Sequence, residues 1–576
     1  MKTSYYLYLA TLAALGAAAL AIPGYFEPSL PAPPMSPADY PSPPPFNGRV
    51  TVWILAQLHI LLAAFVLGVP VFAWIVELAG VVTGEARYDR VAREFMSVAT
   101  AGYALASFLG GGLTLALVTF YPRVMLHLAG VFGETLWWYA ALIAAESALA
   151  WLYYSSWERL RRRKTAHLAL GLMLNLAGTA LMALANSWVT FMMAPSGVGP
   201  DGARLGGVWE AMAGPLWNPL NVHRFFSNVT YGGALTAAYA ACRFLAARDG
   251  AARAHYDWMG CVSFVVAMAG LLPLPFAGYW LTKEIYDFSQ QMGVTLMGGA
   301  FGWLFVLQAA LIGVVFLAAN YYLWISLGRA GEGSRFHRFI QPLAAVVAVA
   351  FLVWFTPHSL VTTPREAALA GGPGHPLLGP LGLMAAKNTA VNILILATFF
   401  SFQLFYRVNL RAAGRGFWAR HGAALQTGIY AAAAVNILAL GIYSYYTPVS
   451  VRVGLSVPQV ATAALTIVLC VVIDGLMFRQ REPRGGFQWG AMPRQSQYAL
   501  ILIAVTLTWI MGLMGYCRSA IRESWHIYGV LRDASPDAYT PTLAWASWLN
   551  TGIVAAFLVL AALMFWAPAR RGNRES

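Results

Sequence analysis

His59 and Glu146 stand well inside long apolar runs of a 576-residue chain, where few other ionisable side chains occur. A titratable group in hydrocarbon is costly, so one that occurs there is normally paired, ligated to a metal or part of a proton path. A neutral imidazole offers a nitrogen lone pair to a metal, and a buried carboxyl can take up and release a proton. Each also has a plainer reading: His59 as a core histidine satisfied by a neighbour, and Glu146 as a carboxyl hydrogen-bonded to an adjacent helix. Glu77, Arg243, Asp257 and Asp474 lie near the ends of their runs and are expected to reach the interface by extending their side chains.

The remaining histidines sort by position along these runs. His223 opens one, His358 follows another and His526 follows a third, all on the side that His59 is nearer to. Imidazoles at one level of an apolar, aromatic-rich bundle meet the two needs of a haem, an axial nitrogen and a hydrophobic sandwich. Arg518 and Arg522 at the same level add forked donors suited to propionates. At His223 and His358 a polar residue at a helix end is the competing explanation, because helix termini accept polar groups cheaply. His167, His255, His337 and His421 are expected to be solvated on the opposite side, and His127 and His375 to lie in loops.

The elements that must hold these residues are transmembrane helices. The chain is 59% hydrophobic and 10% charged, too apolar for a soluble globule of this length. Runs of about 20 apolar residues give about fourteen spans between 5–22 and 547–567, an all-α polytopic bundle. Basic residues concentrate on one set of connections, including Arg159-Leu160-Arg161-Arg162-Arg163-Lys164, Arg407 to Arg420 and Arg570-Arg571. The positive-inside rule makes that side cytoplasmic, puts both termini there, and makes the net charge of +14 mostly topogenic. Spread over short loops and tails, these charges form no nucleic-acid-binding patch. Met1-Lys2 and the apolar run ending at Ala19-Leu20-Ala21 fit either a retained anchor or a cleaved signal.

Cys242, Cys261, Cys470 and Cys517 form no CxxC or CxxCH, so covalent attachment of a c-type haem by the usual motif is excluded. Gly110-Gly111-Gly112 and Gly232-Gly233 let either helix backbones or a flat cofactor come close. A secondary transporter is the alternative function class for so many spans. It predicts an internal repeat and ionisable or unwound elements near the midplane; no convincing repeat is found, and the polar residues that could bind a ligand concentrate near the outer face instead.

Several ordered motifs resemble subunit I of the cytochrome bd quinol oxidases. Arg522 to Arg532, with Trp525 inside it, is similar to the GRQPW-x-x-YGVLRT segment of that family, and Leu55 to Gly68 around His59 to its first helix. Ala145-Glu146-Ser147 with Trp157-Glu158-Arg159-Leu160 matches LES…WDRL, Ala185-Asn186-Ser187-Trp188 matches ANGW, and Asn218-Pro219 with Arg224-Phe225 matches NP…KF. The likeness covers about 51–282 and 497–567. It implies haem of b and/or d type, with His59 as an axial ligand, Glu146 on the proton route, and Arg522 and Trp525 in the cofactor site. It also implies a second membrane subunit of bd type and residence in a bacterial or archaeal cytoplasmic membrane.

The departures from the family are specific. Its second carboxylate falls on Trp138, its haem-ligating glutamate near Ser519, and its low-spin haem histidine on Ser227, with His223 one turn earlier as a substitute ligand. Its methionine ligand has no clear counterpart near Lys387-Asn388, and no long hydrophilic quinol loop follows the seventh span. These losses put quinol oxidation in doubt, and the chain resembles the divergent bd-like proteins that lack the quinol site, a resemblance that implies an outer-side c-type cytochrome as donor. The expected organisation is an anchor or signal and Pro-rich segment at 1–50, bd-like helices at 51–282, additional spans at 283–496 and bd-like C-terminal helices at 497–576.

Overall fold

A computed structural model describes residues 47–297, 302–330, 333–356, 384–408, 410–412, 414, 416–447, 449–483, 486–522, 524–534 and 543–575. Among them, 11 helices are long and apolar enough to cross a membrane, or up to 12 if a bent pair counts as one span. The protein is an all-α polytopic bundle. The expected first span at 5–22, His358 and His375 lie outside the described residues.

The helices relevant here are α1 (Gly48–Thr83), α2 (Ala86–Phe120), α3 (Pro122–Phe132), α4 (Thr135–Ser155), α5 (Lys164–Met193), α6 (Val208–Met212), α7 (Trp217–Ala246), α8 (Gly250–Leu271) and α9 (Leu274–Phe288). They continue with α10 (Gln290–Met297), α11 (Gly302–Ser326), α12 (Ile340–Phe355), α13 (Met384–Arg407), α14 (Phe417–Tyr446), α15 (Val449–Met477), α16 (Arg494–Ile521) and α17 (Leu543–Glu575). Two short antiparallel ribbons accompany them: β1 (Leu410–Ala412) with β2 (Arg481–Pro483), and β3 (Trp525–Ile527) with β4 (Leu531–Arg532).

The chain divides into two compact units, the first made of residues 1–236, 265–293 and 511–576 and the second of 237–264 and 294–510. In the first, α1 starts where Asn47 Oδ1 accepts the Val50 N–H at 2.9 Å and stops at Gly84, whose φ of 74° suits a residue without Cβ. Its buried face, Leu61, Leu62, Phe65, Val69, Phe72 and Val76, packs on α2, with Phe72 and Phe95 edge to face at 5.3 Å. Helices α3 and α4 meet at an 88° bend and carry His127 in a helix, not in the loop that its sequence position suggested. Gly68 and Gly232 bring α1 and α7 into backbone contact: a Cβ at Gly68 would collide with the Asn228 carbonyl, and one at Gly232 with the Gly68 backbone. Gly232 thus serves helix packing.

In the second unit, α11 to α16 enclose buried polar groups. Arg329 Nη1 donates to Asp257 Oδ1 at 2.8 Å with both side chains almost fully buried. Arg407 pairs with Asp474, which also accepts from Gln403 at 2.7 Å. Asp257, Asp474 and, in the first unit, Glu77 therefore do not extend to the interface as expected; each is buried and neutralised by a cation from a neighbouring element. A buried carboxylate with an ion-pair partner and further donors avoids most of the desolvation cost that interfacial extension would relieve.

Candidate functional site

His59 sits on α1 facing α2. Its Nδ1 lies 3.0 Å from the Ala106 carbonyl, which can only accept, so Nδ1 carries the hydrogen and Nε2 keeps its lone pair. Gly110, one turn beyond Ala106, makes room for the ring: a Cβ there would stand 2.8 Å from Cε1 and 3.2 Å from Nδ1. An imidazole fixed by a backbone carbonyl with the other nitrogen available is the arrangement that an axial metal ligand requires.

His223, in the first turns of α7, has a buried Nδ1 without a hydrogen-bond partner, and Ser227 donates to its backbone carbonyl at 2.6 Å. Both His59 and His223 lie within electrostatic range of Arg224, which in turn feels Arg518. Arg518 has a buried Nε without a partner. Arg522 is 7% exposed, donates from Nε to the Arg518 carbonyl at 3.2 Å and from Nη1 to the His526 carbonyl. Burial, then the charges of Arg518 and Arg49, push the Arg522 guanidinium down to about 9, with Asp533 only partly offsetting them. A guanidinium keeps its proton at neutral pH, so this cluster calls for an anion more than for deprotonation.

The structure thus brings His59, His223 and Arg522 into one electrostatic neighbourhood and adds Arg224 and Arg49, which sequence reasoning had not assigned to it. Trp525 belongs to the β3–β4 ribbon just after Arg522, partly buried, with its ring 6.4 Å from that of Tyr528. His526 beside it contacts Asp533 at 3.1 Å.

Glu146 is 4% exposed on α4, where Tyr103 of α2 donates to its Oε2 at 3.3 Å and Ser147 donates to the Tyr103 hydroxyl at 3.1 Å. Gly178 on α5 makes room for the carboxyl, since a Cβ there would lie 2.8 Å from Oε1. Glu146 lines a small cavity of about 20 Å³ whose polar lining includes Asn175, Thr179 and Asn228. Phe225, next to Arg224, lines the same cavity.

Residues 48–302 match the family model for cytochrome bd terminal oxidase subunit I. Over that stretch, somewhat less than half of its length, the chain is similar to cytochrome bd terminal oxidase subunit I. A solved structure, that of the bd oxidase from Geobacillus thermodenitrificans, is similar with a TM-score of 0.40 and 14% identity, over 75% of this chain and 96% of that one. No curated protein matches.

At the positions where the chain departs from the bd subunit I pattern, its own residues are otherwise engaged. Ser519 accepts from Arg49 Nη2 at 3.1 Å, and Trp138 packs against Trp209 at 5.6 Å between ring centroids. Lys283 pairs with Asp287, not with the neighbouring Glu284, which accepts from Trp280 at 3.1 Å. Among the described residues no group of three or more His, Cys, Asp or Glu could hold a metal ion without a macrocycle. Among the described residues, the observation that fits haem is the His59 imidazole, whose Nδ1–H is held by the Ala106 carbonyl so that Nε2 keeps its lone pair, with the guanidiniums of Arg224, Arg518 and Arg522 in the same unit.

His167 was also missed. Expected to be solvated, it is fully buried, with Nδ1 2.6 Å from Glu77 Oε1. Four charged residues on three helices converge there, and a linear reading of basic loops does not reveal that convergence.

Proposed function

We propose that this chain is a haem-binding membrane subunit of a respiratory electron-transfer complex, a bd-like terminal oxygen reductase fed by an outer-side cytochrome c rather than by quinol. The observation that carries the reading is His59: its Nδ1–H is held by the Ala106 carbonyl, which leaves the lone pair on Nε2, and the Arg224 guanidinium lies within electrostatic range. Haem, when bound, supplies the electron transfer and the oxygen chemistry.

The chain's own residues do the rest. His59 Nε2 offers the axial nitrogen, with His223, and by sequence position His358, as further ligand candidates. Arg522, with Arg518 and Arg224 nearby, holds propionate charge, and Trp525 walls the site. Glu146, hydrogen-bonded by Tyr103, exchanges protons with water in its cavity. The partner expected from the bd likeness is a second membrane subunit. With no long hydrophilic loop after α9, the donor in this reading is an outer-side c-type cytochrome, in a bacterial or archaeal cytoplasmic membrane.

A second reading, electron relay without oxygen reduction, is favoured by Ser519, a hydroxyl paired with Arg49 where the family has a ligating acid. The test common to both is the optical spectrum of the purified protein, dithionite-reduced against oxidised. Haem bands that partly vanish in His59→Ala support the proposal. Absence of bands in the unmutated protein refutes both readings, and oxygen-insensitive reduced bands leave the relay.

A further inference from the structure

Away from the histidines of the haem site, the basic ends of α1, α2, α4 and α5 hold a second polar cluster. Glu77 and His167 are fully buried there, while Lys164 and Asp89 are 21% and 28% exposed at their side chains. Lys164 Nζ donates to Glu77 Oε1 at 3.0 Å and pairs with Asp89. The Tyr153 hydroxyl donates to Glu77 Oε2 at 2.6 Å, and Trp157 Nε1 to Asp89 Oδ2 at 3.1 Å. These are the charged and titratable groups facing Glu77 from each helix packed on it. The Arg93–Glu158 pair lies at the exposed rim.

The hydrogen-bond inventory fixes where a proton must be. His167 Nε2 lies 2.9 Å from the Tyr153 carbonyl, which only accepts, so Nε2 carries a hydrogen. Nδ1 lies 2.6 Å from Glu77 Oε1, and two bare acceptors would not approach so closely. One proton therefore sits between them, either on an imidazolium facing a carboxylate or on a carboxylic acid facing a neutral imidazole. With the imidazolium, two cations balance two carboxylates.

The cluster is graded from water inwards and points at the Glu146 cavity. Pro70 on α1, Glu146 on α4 and Asn175 on α5 all line that cavity. They lie seven or eight residues along their helices from Glu77, Tyr153 and His167, or about 10–12 Å at the helical rise. Trp74 and Tyr153 flank Gly171 in the gap, each with a ring atom 2.8 Å from where a Cβ would stand.

We propose that Glu77 and His167 form a proton-loading site between the cytoplasmic water and the cavity of Glu146, a role that rests on the redox reading above. The Nδ1 proton of His167 moves to Glu77 Oε1, leaving neutral imidazole and a carboxylic acid. The acid releases that proton towards the cavity; Lys164, which bridges Asp89 and Glu77, then gives a proton to Glu77 and is itself reprotonated from water at Asp89, and Glu77 Oε1 returns its proton to His167 Nδ1 to restore the imidazolium. No electron moves in this cycle, and each proton delivered is replaced by one from water.

The test uses the purified complex, reduced and mixed with oxygen in a stopped-flow instrument, with haem absorbance and a pH-indicator dye recorded together in H₂O and D₂O. In Glu77→Gln we expect the static haem spectrum unchanged, proton uptake and reoxidation slowed at least tenfold, and a larger solvent isotope effect. Glu77→Asp should recover most of the rate. Unchanged rates overturn the proposal, as does slowing without growth of the isotope effect, which is the signature of a structural lock. If Glu77→Gln does not assemble, Tyr153→Phe removes one donor to Glu77 and should slow uptake about threefold; no change overturns the proposal. Lack of haem bands, or reduced haem inert to oxygen, refutes the oxidase reading and the proton site with it, a failure distinguishable by the spectrum alone.

Discussion

Gly110 lies directly under the imidazole of His59, with the position of a Cβ at 110 only 2.8 Å from Cε1, while positions 111 and 112 have nothing within 4 Å. The triple glycine is therefore not uniform in purpose: one of its members sets the height of the His59 ring. Gly110→Ala should tilt His59 away from the Ala106 carbonyl and shift or remove part of the haem absorbance. Gly111→Ala should leave the spectrum as it is. Equal spectra for the two variants would contradict this assignment.

The arginine cluster gives a prediction of opposite signs. Arg518 has a buried Nε without a partner and lies within reach of Arg224 and Arg522. Like charges held out of water cost the folded chain several kcal/mol unless an anion compensates. Arg518→Met should therefore raise the melting temperature of the haem-free protein while weakening haem retention, by about tenfold for each 1.4 kcal/mol of lost interaction. Thermal unfolding of the haem-free protein and haem content per chain check the two halves. A fall in both would indicate a packing role instead.

The pH dependence of the haem-free protein has a defined sign. The Arg522 guanidinium, outside the spans, is held at about 9, below its ordinary value, first by burial and then by Arg518 and Arg49. A base whose folded pKa lies below its unfolded one penalises folding fully below that folded value, and the penalty fades as pH rises through it. Stability should increase from about pH 9 upward, and Arg522→Gln should flatten the rise. A profile that falls over this range in both proteins would refute it.

How much of this was legible in the sequence depended on separation along the chain. His59 and Glu146 declared themselves because each interrupts an apolar run, and the membrane bundle followed from the same runs. Gly232 was visible as a close-approach residue, but its partner, Gly68, was not, because nothing local couples positions so far apart. Glu77 and His167 were each read as interfacial for the same reason. A charge near a helix end looks exposed until the neighbouring helix supplies its counter-charge, and ninety residues separate the two. The Arg224–Arg518 proximity had no local signal at all.

Lys387 offers the last prediction and shows that a buried cation need not mark a redox site. It is fully buried on α13, donates to the Trp354 carbonyl at 2.9 Å and to that of Thr356, and lies 4.8 Å from the centroid of the Phe305 ring. Both carbonyls belong to the C-terminal end of α12, where the helix leaves its last acceptors unsatisfied and its dipole favours a positive charge. Lys387→Met keeps the length and removes the donors, stranding two buried carbonyls at about 1–3 kcal/mol each. The midpoint of chemical unfolding should fall accordingly, whereas Lys283→Met, which breaks an exposed pair one turn apart, should change it by less than about 0.5 kcal/mol. Neither change should alter the haem spectrum, and a spectral change in Lys387→Met would mean that the helix end it caps communicates with the haem.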